Sequence, residues 1–450
     1  MRRTASPGLL GWILAGAVFG VLFVFKAYWG WFFVILGVIS IAIWRRNDPR
    51  YRRFVLVCFL LATFVRVLPA GALQLHSWSN GGDGSVFNDG RGKCRLAWST
   101  VEYFRGDRAD LFDVLGERNS HTDLLAILFF LFGYAPMAGK LLNILMTVSV
   151  GLMTFGIARR ALGVSAAKIA MVLVCFTPTM IFWSVGNLKD NLYLFMLVFT
   201  FYGVTRWIED GKYPFLAFFA LLPFMYSIRQ AATLLLVPIL AVGVLLSSRL
   251  AFWIKIALVG VLIVAGLGVA RTKLLPSGRD TLGRVKISAE YILTLRLGFL
   301  SSGGNNYRIF DDKYYQKMLE RHYAPSGVPE DLQLASGAFA LGYLKGLMYF
   351  LFSPLPWMIS KGSHLLVLPQ VVLWMLLALP FMSGVIWTCS GRARPLIPMV
   401  IFLMVGVSLY AIAEANMGTA IRHRDMFLPF FYILAMAGLS RWGVLRDEAH

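Results

Sequence analysis

The chain of 450 residues is 58% hydrophobic and only 15% charged, whereas soluble globular proteins are about half apolar and about a quarter charged. Repeated runs of about 17–25 apolar residues predict an all-α polytopic membrane protein, and their continuous hydrophobicity excludes a β-barrel. The net charge of +20 is spread in small cationic groups with no nucleic-acid-binding motif, so we predict membrane lipids and no nucleic acid as partners.

The apolar runs predict about twelve transmembrane spans. In chain order they are residues 8–25, 28–44, 54–74, 136–158, 164–183, 191–207, 214–228, 231–247, 251–269, 364–388, 395–413 and 426–440. With a cytoplasmic N-terminus, every segment assigned to the inside contains at least two Lys or Arg, as the positive-inside rule requires. We therefore predict this orientation.

This topology gives a single integral membrane domain, residues 1–450, with two large outer loops at 75–135 and 270–362. The segment 337–357 is apolar enough to cross the membrane. A full crossing, however, would place the cationic "GRAR" sequence, residues 391–394, outside, against the positive-inside rule. We predict instead an interfacial or re-entrant helix broken by Pro354 and Pro356, with thirteen spans as the alternative.

Ionisable side chains recur at the predicted outer ends of the spans, where their cost indicates function more often than packing. They are Asp83, Asp89, Lys189, Asp190, Arg229, Glu414, Arg422 and Arg424. Snorkelling to lipid head groups is the competing explanation for the cations. A carboxylate with several cations suits sugar transfer from a lipid phosphate: the acceptor hydroxyl needs a base, while the anionic leaving group needs only charge neutralisation.

Several segments, in order along the chain, resemble motifs of GT-C membrane glycosyltransferases, the superfamily of protein O-mannosyltransferases and lipid A aminoarabinose transferase. "GGDGSVFNDGRGKCRLAW" is similar to their first outer-loop motif, with Asp83, Phe87 and Ala97 at the matching positions. Further similar segments are "LFGYAPMAGKLLNILM", "CFTPTMIFWSVGNLKDNLYLFML", "YSIRQAATLLL", "LFSPLPW" and "NMGTAIRHRDMFLPFFYIL". Together they cover roughly residues 75–440.

The resemblance implies a GT-C-like bundle in a bacterial inner membrane with its active site on the extracytoplasmic face. It implies a polyprenyl-phosphate-linked sugar donor and a glycan, lipid or protein acceptor. Asp83 would be the catalytic base, and the donor phosphate would be held by Lys189, Arg229, Arg422 and Arg424. Asp190 would support the site, and Phe87 stands where the family usually has tyrosine.

Three points stay open. Asp89 is either a second active-site acid or, as we favour, a helix cap. His76 and His121 with the two aspartates are candidate ligands for a divalent ion, but no ligand spacing supports one and we predict no metal. The alternative functions are a polysaccharide polymerase or O-antigen-ligase-like enzyme acting on a polyprenyl-diphosphate glycan and, with less support, a transporter or flippase.

Overall fold

The computed structural model describes residues 27–85, 87–107, 118–211, 215–247, 307, 309, 337–359 and 362–445 of the chain. Within these ranges the regular structure is helical without a strand, which confirms the all-α prediction. The predicted spans at 8–25 and 251–269 lie outside the described residues, as does most of the second predicted outer loop.

The described helices are, in chain order, α1 (Ala27–Arg46), α2 (Pro49–Ser79), α3 (Asn88–Arg105), α4 (Ser120–Phe132), α5 (Pro136–Leu162), α6 (Val164–Phe176), α7 (Pro178–Ser184), α8 (Lys189–Asp210), α9 (Phe215–Ile228), α10 (Gln230–Ser247), α11 (Gly337–Phe352), α12 (Gly362–Leu365), α13 (Leu368–Cys389), α14 (Ile397–Ala413), α15 (Met417–Asp425) and α16 (Leu428–Arg441). The chain divides into two compact units. The N-terminal unit comprises Met1–Leu152 and Ile181–Phe195, and the C-terminal unit comprises Met153–Met180 and Met196–His450.

Five helical segments of the described ranges are long and apolar enough to cross a membrane: Ala27–Arg46, Pro49–Ser79, Pro136–Leu162, Leu368–Cys389 and Arg394–Ala413. Helices α6 and α7 add a sixth if the pair, bent by 51°, counts as one span. The chain is thus a membrane-embedded helical protein. The predicted count of about twelve spans is not confirmed: several other apolar helices of the described ranges are only 10–17 residues long, and two predicted spans lie outside those ranges.

Proline explains two of the interruptions. The predicted span at 164–183 is broken at Thr177, because Pro178 lacks an N–H and disfavours helical backbone in the residue before it. Helix α11 ends at Phe352, immediately before Ser353 and Pro354. The helix therefore ends just before the predicted proline break, and the interfacial or re-entrant position of the 337–357 segment stays a prediction.

Helices α13 and α16 of the C-terminal unit pack closely enough to exclude side chains at two glycines. A Cβ on Gly384 would lie 1.8 Å from the Leu434 carbonyl oxygen, and one on Gly438 would lie 1.8 Å from that of Pro380. Small residues allow such backbone approach between membrane helices, where packing contributes much of the attraction.

Helix α3 of the N-terminal unit is amphipathic. Its buried residues include Cys94, Ala97 and Val101, at the spacing that places them on one side of a helix. This side accounts for the packing of α3 against α4. The charged residues Arg91 and Arg95 keep the helix too polar to be a span.

All four cysteines are free: Cys58, Cys94 and Cys175 are buried, while Cys389 is exposed at the end of α13. Burial raises the pKa of the Cys94 thiol to about 11, which keeps it in its unreactive protonated form.

Candidate functional site

The motif loop, of which residues 80–85 and 87 are described, lies between α2 and α3 and folds back onto the last turns of α2. The Gly84 N–H donates to Ser77 Oγ at 3.0 Å. Gly84 has a φ of +88°, and a Cβ there would lie 1.9 Å from Gln74 Nε2. Only glycine fits such a position, since it combines left-handed backbone with close approach of a neighbouring side chain. The glycines around Asp83 are therefore needed for the tight return of the chain.

The carboxylate of Asp83 is held at both oxygens. The Ser85 N–H donates to Oδ1 at 2.9 Å, and the Tyr134 hydroxyl donates to Oδ2 at 2.8 Å. Arg91 Nε lies 3.8 Å from Oδ1, and the Asp83 side chain is 23% exposed. The carboxylate is thus fixed in direction while one part of it reaches solvent.

The same contacts keep Asp83 ionised. Partial burial raises the pKa of the carboxyl group, but the hydrogen bonds from Ser85 and Tyr134 and the charge of Arg91 outweigh it. The pKa of Asp83 therefore lies below its usual value, because each of these donors favours the charged form.

Tyr134 was not singled out by the sequence analysis. It follows Gly133 in the turn between α4 and α5, and its ring lies edge-on to Trp98 and Phe129, at centroid distances of 5.7 and 5.3 Å. This packing aims its hydroxyl at the Asp83 carboxylate. Burial and the bond to Asp83 raise the pKa of Tyr134, so the hydroxyl stays protonated as a donor.

Lys140 is a second functional candidate that the sequence analysis missed. Its side chain is fully buried in α5, and Nζ donates to Gln74 Oε1 at 2.8 Å and to the Gly84 carbonyl oxygen at 2.6 Å. Lys140 therefore ties the motif loop to both α2 and α5, and it places a positive charge near Asp83.

Phe87 anchors the far end of the motif loop. Its ring lies 5.2 Å from that of Phe182 and 5.6 Å from that of Trp183. Gly186 provides the space, since a Cβ there would lie 2.4 Å from the Phe87 ring. The Phe87 position thus serves packing, and the hydroxyl near Asp83 comes from Tyr134.

Two buried asparagines connect the other motif segments of the N-terminal unit. Asn143 Nδ2 donates to the Gly186 carbonyl oxygen at 2.6 Å. Asn187 Nδ2 lies 3.0 Å from the Pro136 carbonyl oxygen and 3.1 Å from Cys94 Sγ. The segments chosen from the sequence around residues 83–97, 136–143 and 182–190 therefore lie together.

Lys189 and Asp190 begin α8, and their charges act on His121 at the start of α4. Burial lowers the pKa of His121 to about 4, with Asp190 opposing this effect and Lys189 and Lys93 adding to it. Both ring nitrogens of His121 are buried without a hydrogen-bond partner among the described residues. The role of Lys189 in phosphate binding stays a prediction.

Asp89 lies in the first turn of α3, whereas the N-cap position belongs to Phe87. The predicted cap is therefore wrong by two residues. A carboxylate in the first turn still stabilises the positive end of the helix dipole. The alternative, a second active-site acid, stays a prediction.

The remaining predicted cations belong to the C-terminal unit. Arg229 occupies the junction of α9 and α10, where its Nη1 lies 2.8 Å from His423 Nε2 and 3.4 Å from the Tyr410 hydroxyl. His423 was not among the predicted site residues. Its contact with Arg229 joins residues 194 positions apart, which no local sequence pattern reveals.

Arg422 and Arg424 lie on different sides of α15. Residues two apart on a helix do not face each other, and only Arg424 is fully buried in α15. Arg424 Nη1 donates to the carbonyl oxygens of Leu351 and Ser353, and the guanidinium lies 5.8 Å from the Trp374 ring centroid. Arg424 Nε and Nη2 are buried without a hydrogen-bond partner in the described ranges.

The two histidines proposed as metal ligands differ in their exposure to solvent. His76 is exposed at the end of α2, while His121 is buried. Across the part of the chain that the structure describes, no three His, Cys, Asp or Glu side chains come together as a metal ion would require.

The geometry thus gives an ionised, anchored carboxylate in the N-terminal unit and an oriented arginine in the C-terminal unit. Neither a protein-family model nor a curated protein matches this sequence.

Proposed function

We propose that the protein is a GT-C-type glycosyltransferase that moves a sugar from a polyprenyl-phosphate donor to an extracytoplasmic acceptor. The acceptor is a cell-envelope glycan, a lipid or a protein, and the enzyme acts in a bacterial inner membrane with its N-terminus in the cytoplasm. One observation carries this proposal: Asp83, in a loop next to a membrane-spanning helix, is held ionised by donors on both carboxylate oxygens.

In the proposed reaction, the acceptor hydroxyl oxygen attacks the anomeric carbon and the bond from that carbon to the lipid phosphate oxygen breaks. Asp83 takes the hydroxyl proton, and the lipid phosphate leaves as an anion. Such a leaving group needs no general acid, which distinguishes this chemistry from glycoside hydrolysis by two carboxyl groups.

The developing phosphate charge would be neutralised by Lys189, Arg229, Arg422 and Arg424. Arg424 supports this assignment, because its unpartnered Nε and Nη2 form the edge with which arginine binds phosphate bidentately. Phe87 and Asp89 would support the motif loop and α3, and Asp190 would orient Lys189 or the acceptor.

Mass spectrometry of cell-envelope glycans from cells with and without the protein tests the proposal. We expect one sugar substituent to disappear with the protein and the lipid-linked donor to accumulate. Loss of a whole polymer with accumulation of its diphosphate-linked unit would support a polymerase or ligase instead. Substrate that crosses liposomes without forming a glycosidic bond would support a transporter.

Replacement of Tyr134 by Phe should shift the acidic limb of the pH–rate profile to higher pH. The change removes a hydrogen bond that favours the Asp83 carboxylate, so the pKa of Asp83 rises towards its usual value. Asp83 then protonates, and activity falls, at a higher pH than in the unaltered enzyme. The profile is measured as the initial rate of sugar transfer against pH.

Tyr103→Phe, a change near the C-terminal end of α3, is the matched control and should leave the profile unmoved. If Tyr134→Phe moves the limb to lower pH or leaves it in place, Asp83 is not the group that the profile reports.

A further inference from the structure

Three side chains of the C-terminal unit form a continuous hydrogen-bonded chain from Glu414 through His423 to Arg229. His423 Nδ1 contacts Glu414 Oε1, and Arg229 Nη1 lies 2.8 Å from His423 Nε2. Glu414 and His423 are 1% and 7% exposed. Glu414 follows the end of α14 and His423 lies in α15, so the chain connects α14 and α15 to the α9–α10 junction at Arg229.

The donor pattern fixes the protonation of the imidazole. Arginine has N–H groups and no acceptor, so His423 Nε2 must accept the hydrogen bond from Arg229. A neutral imidazole that accepts at Nε2 carries its proton at Nδ1 and donates it to the Glu414 carboxylate. The order of charge is therefore a carboxylate, a neutral ring and a guanidinium.

This arrangement argues against His423 as a base towards substrate, because its lone pair is directed at Arg229. It instead determines how the guanidinium is oriented. Tyr410 adds to this effect: its hydroxyl lies 3.4 Å from the same Nη1, and its ring packs 4.8 Å from that of His423. Both N–H groups of Nη1 then have acceptors, which fixes the plane of the guanidinium.

We infer that Glu414 and His423 are positioning residues that hold the Arg229 guanidinium for the phosphate of a lipid-linked substrate. A fixed guanidinium plane is what bidentate binding of a phosphate requires. The inference rests on the proposed function in that it takes the phosphate to belong to a polyprenyl lipid. It extends that proposal to two residues that act through Arg229.

A double-mutant cycle tests the inference by binding alone. The purified full-length protein in detergent is titrated with a fluorescent short-chain polyprenyl phosphate, with the matching polyprenol and inorganic phosphate in parallel. Arg229→Ala should weaken polyprenyl phosphate binding by about 10- to 100-fold, the range for a hydrogen-bonded charge. His423→Phe retains the ring against Tyr410 but has no nitrogens, and it should weaken binding by about tenfold.

The decisive measurement is the combined variant. If His423 acts through Arg229, His423→Phe causes no further loss in the Arg229→Ala background. His423→Gln, which offers both an acceptor and a donor, should restore binding to within about threefold of the unaltered protein. His364→Phe is the matched control for loss of a histidine ring and should bind normally. The inference would be overturned if the losses of the two single variants multiplied in the combined variant, or if His423→Phe bound polyprenyl phosphate normally.

The cycle can still be completed if His423→Phe does not fold. If His423→Phe is not recovered as a monodisperse protein, Glu414→Gln replaces it; this change keeps an oxygen for Nδ1–H and removes the charge. Glu414→Gln should weaken polyprenyl phosphate binding when Arg229 is present and should cause no further loss when it is combined with Arg229→Ala. Equal losses in both cases would contradict the inference.

The binding cycle and the proposed function fail separately. If His423 and Arg229 are coupled in binding but no sugar is transferred, the transferase is contradicted and the phosphate site is supported. If transfer depends on Asp83 but the two residues are not coupled, the transferase is supported and the positioning role is contradicted. Tighter binding of inorganic phosphate than of the lipid would assign the site to a soluble phosphate and overturn the lipid-linked substrate.

Discussion

Asp83→Asn is expected to reduce the rate of sugar transfer by about 10²–10⁴-fold, the contribution typical of a general base. The asparagine oxygen still accepts the Ser85 N–H, so the motif loop retains its main local hydrogen bond. The change removes the negative charge and the ability to take a proton. We therefore expect the loss in kcat, with little change in the affinity for the donor lipid. The measurement is transfer from a synthetic polyprenyl-phosphate sugar by the protein in liposomes.

Asp123→Asn is the matched control for this experiment. Asp123 forms an ion pair with Arg118 at 2.7 Å in a partly exposed position, where a salt bridge contributes little to stability. It should transfer sugar at the normal rate. Transfer by Asp83→Asn within threefold of the control would remove Asp83 from the role of base, whatever the fate of the cation assignments.

Lys140→Met is expected to lower the free energy of unfolding by about 2–4 kcal/mol and to reduce transfer in parallel. Methionine keeps the length of the side chain but leaves Gln74 Oε1 and the Gly84 carbonyl oxygen without their buried donor. Removing the buried charge recovers some desolvation energy, which offsets part of the cost of leaving the two acceptors without a donor. Thermal unfolding in detergent gives the stability, and the liposome assay gives the activity.

Lys345→Met provides the comparison, because Lys345 is exposed on α11. Exposed substitutions of this kind change stability by less than about 0.5 kcal/mol. Equal unfolding midpoints for the two variants would mean that the motif loop does not depend on Lys140. Lower stability with normal transfer would assign Lys140 to folding alone.

Local patterns were sufficient to predict the class of fold. Long apolar runs form α1, α2, α5 and α13, and the proline after Ser353 ends α11 where expected. The number of spans stays a prediction, because an apolar run does not reveal where the helix within it breaks. Thr177 interrupts one such run, which was predicted as a single span over residues 164–183.

The candidate site divides in the same way. Asp83 and Phe87 were visible as a local motif, and the structure shows what holds them. Lys140 was missed because a lysine inside an apolar helix resembles any snorkelling lysine, and its partners lie 66 and 56 positions away. His423 was missed for the same reason: its contact with Arg229 spans 194 positions. Asp89 was predicted as a helix cap but lies two residues inside the helix, because a single carboxylate suits several positions of a first helical turn.

The distribution of the four thiols gives the native chain a built-in label site. Cys389 is the exposed one and the others are buried, Cys94 with a pKa of about 11. A maleimide that cannot cross lipid should therefore modify the folded protein at the end of α13 without any engineered cysteine. Applied from one side of sealed vesicles and then from the other, it reports which compartment the "GRAR" sequence faces, and with it the orientation of α13.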